Sequence, residues 1–181
     1  MVFNYKSASK KQLKDEYNRI ANEANAGKFL TKKELMYLPD ILQLGEEILT
    51  FTSGLMDKNT WLITLTDRRI IFLDKGMLYG LKQEDIPLNR VNAISSSTGL
   101  FFGNITITDG AKGREISNVF KKTVKAFTNK CQEALDAINS PQSYTVQQID
   151  PYAQLEKLAT FKDKGIISAD EFEIEKQKIL A

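Results

Sequence analysis

Trp61-Leu62-Ile63-Thr64-Leu65-Thr66-Asp67-Arg68-Arg69-Ile70-Ile71-Phe72-Leu73 decides the fold class. Two runs of aliphatic, aromatic and β-branched residues flank Asp67-Arg68, a link short enough for a tight hairpin. Outward from this stretch the same character recurs. Strands are predicted over residues 47–53, 61–66, 69–73, 77–82, 90–96, 101–108 and 114–117. Asp74-Lys75-Gly76 supplies a turn, and Asp109-Gly110 is a strong hairpin signal. Seven strands at roughly ten-residue spacing are the all-β pattern of a sandwich or small barrel.

Helical periodicity lies on both sides of this region. Leu13, Tyr17, Ile20 and Ala24 recur at spacings of four, three and four, predicting an amphipathic helix over 8–26 that stops at Asn25-Ala26-Gly27. Thr31-Lys32-Lys33-Glu34 fits a capping box for a second, shorter helix with Leu35, Met36 and Leu38 on its apolar side. Pro39 is expected to end or kink it. After the strands, Phe120, Val124, Phe127, Cys131, Leu135 and Ile138 form one apolar stripe, with Ser117 as the expected N-cap. That stripe must cover something, and the open end of the preceding sheet is nearest. The chain therefore divides into an N-terminal helical segment (1–43), a strand-rich body with its helix (44–139), a polar two-proline linker (140–151) and a helical tail (152–181). In the tail, Gly165 suits a helix end and Ser168-Ala169-Asp170-Glu171 suits a capping box.

Composition narrows the function. The apolar fraction of 42% is enough for a real core, so the chain reads as globular. Its 25 basic and 23 acidic residues leave a net charge of +2, too balanced to imply a nucleic-acid binder. There is no histidine, which excludes Ser-His and Cys-His nucleophile pairs and His-containing zinc sites. Asp67, Asp74 and Asp85 lack a spacing that suggests an acid/base couple or a metal cage, and Gly76-Met77-Leu78-Tyr79-Gly80 precedes no helix. No cofactor is implied. The one cysteine, Cys131, falls on the apolar stripe and reads as core. It permits no internal disulfide, the N-terminus lacks a signal-peptide pattern, and the uncharged run 91–108 is too polar to span a membrane. These features predict a cytoplasmic, non-enzymatic protein.

Leu44-Gly45-Glu46-Glu47-Ile48-Leu49, the Trp61–Phe72 hairpin, Ile86-Pro87-Leu88 and Val91 resemble bacterial pleckstrin-homology (PH) like domains, including the YokE type. In that family a "GE" entry strand leads to an "LT-x-x-R-hydrophobic" hairpin and then to an "IPL" strand start. The resemblance covers residues 44–139. It implies an α+β fold, a PH-like seven-stranded β-barrel or orthogonal sandwich closed at one end by a helix. Leu155 through Leu180 resembles the SHOCT (short C-terminal) family, with its L-x-x-L helix, "GIIT-x-x-EF" turn and "K-x-x-L" end. Ser168 stands where the family usually has Thr, which keeps a capping hydroxyl. That resemblance implies a two-helix hairpin that mediates oligomerisation or partner binding.

A hairpin of about thirty residues is too small to fold firmly alone. Leu155, Leu158, Ile166, Ile167, Phe172, Ile179 and Leu180 must therefore pack on the same chain, on another copy or on a partner, or stay unfolded until bound. In phosphoinositide-binding PH domains, a Lys before the second strand and basic residues along it cradle the phosphates. Lys58 holds the first position here, but residues 61–66 carry no basic side chain, which argues against such a cradle. Lys112, Arg114, Lys121, Lys122 and Lys125 form either a basic patch for anionic lipid or nucleic acid, or a solvated face. The expectation is a protein–protein interaction or oligomerisation module of a bacterium or phage, forming homo-oligomers. The alternative is peripheral membrane association through the basic helix face and loop residues Leu55, Met56, Leu100 and Phe101.

Overall fold

A computed structural model describes residues 3–24, 32–76, 80–110 and 112–139, with scattered positions between 155 and 177. The chain separates into two compact units, Met1–Asn139 and Ser140–Ala181. In the first unit, α1 (Lys10–Glu23) starts at a capping box: Gln12 N–H donates to Ser9 Oγ at 3.3 Å and Ser9 N–H to Gln12 Oε1 at 2.9 Å. Leu13, Tyr17, Ile20 and Ala24 are buried, as their spacing predicts. Two short helices come next, α2 (Lys32–Leu35) and α3 (Leu38–Ile41). Pro39 lies in the first turn of α3, so it opens a helix instead of ending one. A first-turn residue needs no N–H donor, and the fixed proline φ suits a helix start. Thr31, the expected cap, lies outside the described residues.

The strands are β1 (Ile48–Met56), β2 (Asn59–Thr66), β3 (Arg69–Lys75), β4 (Leu81–Pro87), β5 (Val91–Thr98), β6 (Phe102–Asp109) and β7 (Lys112–Phe120). All pairings are antiparallel, in the order β4-β3-β2-β1-β7-β6-β5. The expected seven strands are therefore present, in a PH-like arrangement. The fourth is displaced: the sequence predicts 77–82, and the ladder with β3 runs from Lys75–Leu81 to Arg69–Pro87. Only Ile86 of β4 is buried, so this strand has little apolar pattern to read. Nor does the ladder close, because β4 and β5 stand at its two ends. The helix α4 (Lys121–Asn139) packs against β5, β6, β1 and the 3-10 turn Leu88–Arg90.

The groups β1–β4 and β5–β7 join at one pair, Leu55 with Ser117. Gly54 permits that approach: a Cβ there would lie 2.5 Å from Ile116 Cγ2 and 2.7 Å from Ser117 O. One core lies between the groups, where Ile63, Leu65, Phe72, Ile105 and Ile116 meet Val124, Phe127, Cys131 and Leu135 of α4. A buried hydroxyl pair, Thr52 with Thr123 at 3.1 Å, ties β1 to the same helix. A second core covers the opposite face of β1–β3. There Phe51, Leu62, Ile71 and Leu73 pack with Tyr17, Ile20, Leu38 and Leu42 from the N-terminal helices. β2 and β3 are thus buried on both faces, which explains their nearly unbroken apolar runs.

The start of α4 differs from expectation. β7 continues through Phe120, and the helix begins at Lys121. Ser117 is not an N-cap; its hydroxyl donates to Leu55 O at 3.3 Å. Asn118 adopts φ of 53°, and the register with β6 shifts between Gly103 and Ile105. This β-bulge inserts one residue and reverses the facing of the next two, so Val119 points inward and Phe120 outward. Asn tolerates the left-handed conformation better than most residues. At the far end of the stripe, Ile138 is also exposed.

Candidate functional site

The residues that carry the family resemblance converge on one buried carboxylate. Glu46 accepts from Arg69 Nε at 2.8 Å, Arg69 Nη2 at 2.8 Å, Thr66 Oγ1 at 2.9 Å and Gln43 N–H at 2.7 Å. Arg69 also reaches Asp85 at 2.7 Å and Ile41 O at 2.9 Å. The Glu46 side chain is 0% exposed. Burial raises its pKa, but Arg69, Gln43 and Thr66 outweigh burial and hold it below the ordinary carboxylate value. The group is therefore a structural staple between the N-terminal segment, β2, β3 and β4, with the carboxylate already satisfied.

A groove of about 580 Å³ lies at the β1–β2 hairpin, lined among others by Asp57, Lys58, Glu84, Lys112, Arg114 and Glu115. Its acidic and basic side chains balance, which does not suit a polyphosphate. Arg114 is already engaged by Glu84 at 3.0 Å and Asp109 at 2.6 Å, and lies over the Phe72 ring at 5.8 Å. Lys112 opens β7, whereas Lys121, Lys122 and Lys125 come after its end. Nine strand residues span roughly 30 Å, so the structure does not gather the five basic residues into one patch. Arg114 and Lys112 belong to the groove; the three helix lysines share the other end.

At that other end, Leu100 is 78% exposed, Phe101 70%, Phe102 45% and Phe120 57%. The Phe102 and Phe120 rings are 5.2 Å apart. Lys121 N–H donates to Phe101 O at 3.0 Å, and Gly99 N–H to Phe102 O at 2.7 Å. Lys121, Lys122 and Lys125 are exposed, with no ion-pair partner among the described residues. Of the loop residues proposed for membrane contact, Leu100 and Phe101 are exposed, Leu55 is half-buried and Met56 is buried. Leu55 and Met56 are both residues of β1, not of a loop, and Met56 points into the core. Sequence reasoning missed Phe102 and Phe120, because a helical period through Phe120 hides a bulge that only strand pairing reveals.

In the second unit, Leu155 and Phe172 are helical and half-buried. Lys162 Nζ lies 4.9 Å from the Phe172 ring centre and Lys176 Nζ 5.8 Å. Phe172 N–H donates to Ser168 O at 3.0 Å, as expected where a helix starts after Ser168. Leu158, Ile166, Ile167, Ile179 and Leu180 lie outside the described residues. Among the described residues no helix is long and apolar enough to cross a membrane, and no group of three or more His, Cys, Asp or Glu could hold a metal ion. Burial pushes the Cys131 thiol far above its ordinary pKa, so the nucleophilic thiolate is suppressed.

Two family models match parts of the chain. A family model described as "Bacterial PH domain" matches residues 42–133, and one described as "Short C-terminal domain" (SHOCT) matches 153–180. Two solved structures are similar. A pleckstrin homology domain from Shewanella amazonensis SB2B is 19% identical, covering 61% of this chain and 92% of its own, with a TM-score of 0.44. A DUF1696 family protein with a pleckstrin-homology domain, from Shewanella loihica PV-4, is 13% identical, covering 60% of this chain and 99% of its own, with a TM-score of 0.43. No curated protein matches.

Proposed function

Because the chain belongs to the bacterial PH domain family, we propose that it is a non-enzymatic interaction module that assembles by strand addition at β5. The supporting observation is the contrast between its two sheet edges. β4 carries Lys82, Glu84, Asp85 and Pro87, the features that discourage edge pairing. β5 reads Val91-Asn92-Ala93-Ile94-Ser95-Ser96-Ser97-Thr98, with no charge, proline or glycine. Six of its eight side chains are exposed. An edge of this length without charge or proline is a template for another strand, where main-chain hydrogen bonds provide affinity. Pairing with the same strand of a second copy would be self-complementary. The SHOCT segment supplies a further contact on the same chain, raising the effective concentration of the first. A single free cysteine, Cys131, suits a cytoplasmic setting for this module.

Light scattering on the full chain tests the reading. Wild type is expected to show a dimer or larger mass. Ser96→Lys/Ser97→Lys puts like charges beside the edge and is expected to give a monomer that keeps the wild-type circular-dichroism spectrum and a cooperative melt. Deleting residues 152–181 separates the tail's contribution. A monomeric wild type at high concentration, or an unchanged mass in the lysine variant, would sink strand addition at β5.

A further inference from the structure

We propose that the tip formed by Leu100, Phe101, Phe102 and Phe120, with Lys121, Lys122 and Lys125 beside it, docks on an anionic lipid bilayer. Single exposed apolar side chains are ordinary, but a contiguous cluster of four large ones marks a contact surface. This cluster is held in shape. Gly99 N–H closes the turn onto Phe102 O at 2.7 Å, and Lys121 N–H clamps Phe101 O at 3.0 Å. Gly103 lets the neighbouring chain come close: a Cβ there would collide with Ser97 O and lie 3.2 Å from Val124 Cγ2. The Asn118 bulge turns Phe120 outward beside Phe102.

Charge selects the occupant. Lys121, Lys122 and Lys125 come directly after the aromatic cluster, and the first turn of α4 contains no acidic residue. Lys121 and Lys125 are like charges four positions apart, an arrangement a helix does not favour on its own. None of the three lysines has an ion-pair partner among the described residues, so their charge is free to meet an anionic surface. Apolar side chains at the point with lysines alongside match a bilayer interface, where the former enter the acyl boundary and the latter stay at headgroup level. Size argues against a folded protein as occupant. A standard protein interface uses roughly 20–30 residues a side, whereas this tip offers four apolar side chains and three lysines. The tip lies at the end of β7 away from the Lys58–Lys112 groove. The inference does not depend on strand addition at β5.

Vesicle flotation of the full chain tests it, comparing phosphatidylserine-containing vesicles with pure phosphatidylcholine. Wild type is expected to float with the anionic vesicles and to be released by salt. Lys121→Glu/Lys122→Glu/Lys125→Glu is expected to weaken binding by on the order of a hundredfold or more. Leu100→Ser/Phe101→Ser is expected to weaken it at least about tenfold. Both variants change exposed positions, and a circular-dichroism melt confirms their fold. In Phe101→Trp, tip insertion would shift the fluorescence gained over wild type to the blue with anionic vesicles alone. Absence of wild-type binding, equal binding to neutral vesicles or full binding by Leu100→Ser/Phe101→Ser would overturn the proposal. So would conversion of an assembled wild type to monomer by that variant without vesicle binding in either form, which would make the tip a protein contact.

Discussion

Glu46 is sealed from water and met by four hydrogen-bond donors, so its charge is coupled to folding. Its folded pKa is lower than the unfolded value, so its contribution is complete above the unfolded value, about 4.3. That contribution is lost as pH falls through the lower folded value. Glu46→Gln is accordingly expected to flatten the acid limb of stability against pH in urea melts. Arg69→Ala leaves the carboxylate buried without its cation and is expected to cost about 3–5 kcal/mol near neutral pH. An Arg69→Ala midpoint equal to wild type would show that water or a rearranged lysine replaces the guanidinium. Both residues belong to the quoted family motif, but nothing in their spacing says that they touch. The pairing of β2 with β3 brings Arg69 back beside the N-terminal entry segment, so the contact is a product of topology.

At the scale of elements, strand β1 makes its one β7 pair through the space left by a missing side chain. Gly54→Ala would drive a methyl group into Ile116 and the Ser117 carbonyl, and the expected cost is about 1–3 kcal/mol or more by thermal melt. A melt unchanged from wild type would mean that β7 can yield there. The strands whose alternation or apolar content is strong are legible: β2 and β3 appear where Trp61 through Leu73 predicts them. β4 is not, since Lys82, Gln83, Glu84 and Asp85 lie on an edge where water accepts any side chain. α4 is legible in its middle, where Val124, Phe127, Cys131 and Leu135 are buried. Its beginning is hidden because strand and helix can both place Phe120 in an apolar pattern, and the Asn118 bulge decides between them. The exposed tip shares that fate, since it comes from two segments distant in sequence. The bareness of β5 is written in its serines, but that it is an edge emerges only from the pairing order.

At the scale of the molecule, the N-terminal helices and the sheet share a core. Residues 1–43 read as a helical segment distinct from the strands; its described helices pack on β1–β3. The signal is present in Trp61-Leu62-Ile63 and Ile70-Ile71-Phe72, which leave no polar face to meet solvent. Deleting residues 1–43 would bare Phe51, Leu62, Ile71 and Leu73, each losing roughly 1.5–3 kcal/mol of burial. The expected product aggregates or binds a hydrophobic dye and lacks a cooperative melt; a soluble truncated form with a sharp transition would contradict the shared core. The lone Leu55–Ser117 link has a mechanical corollary. Tension applied along one half of the wall finds almost no row of amides on which to cross to the other half. Besides the chain itself at Leu88–Arg90, it crosses through buried side chains, where Ile63 and Phe72 of one half share a core with Ile105 and Ile116 of the other and with Val124, Phe127 and Cys131.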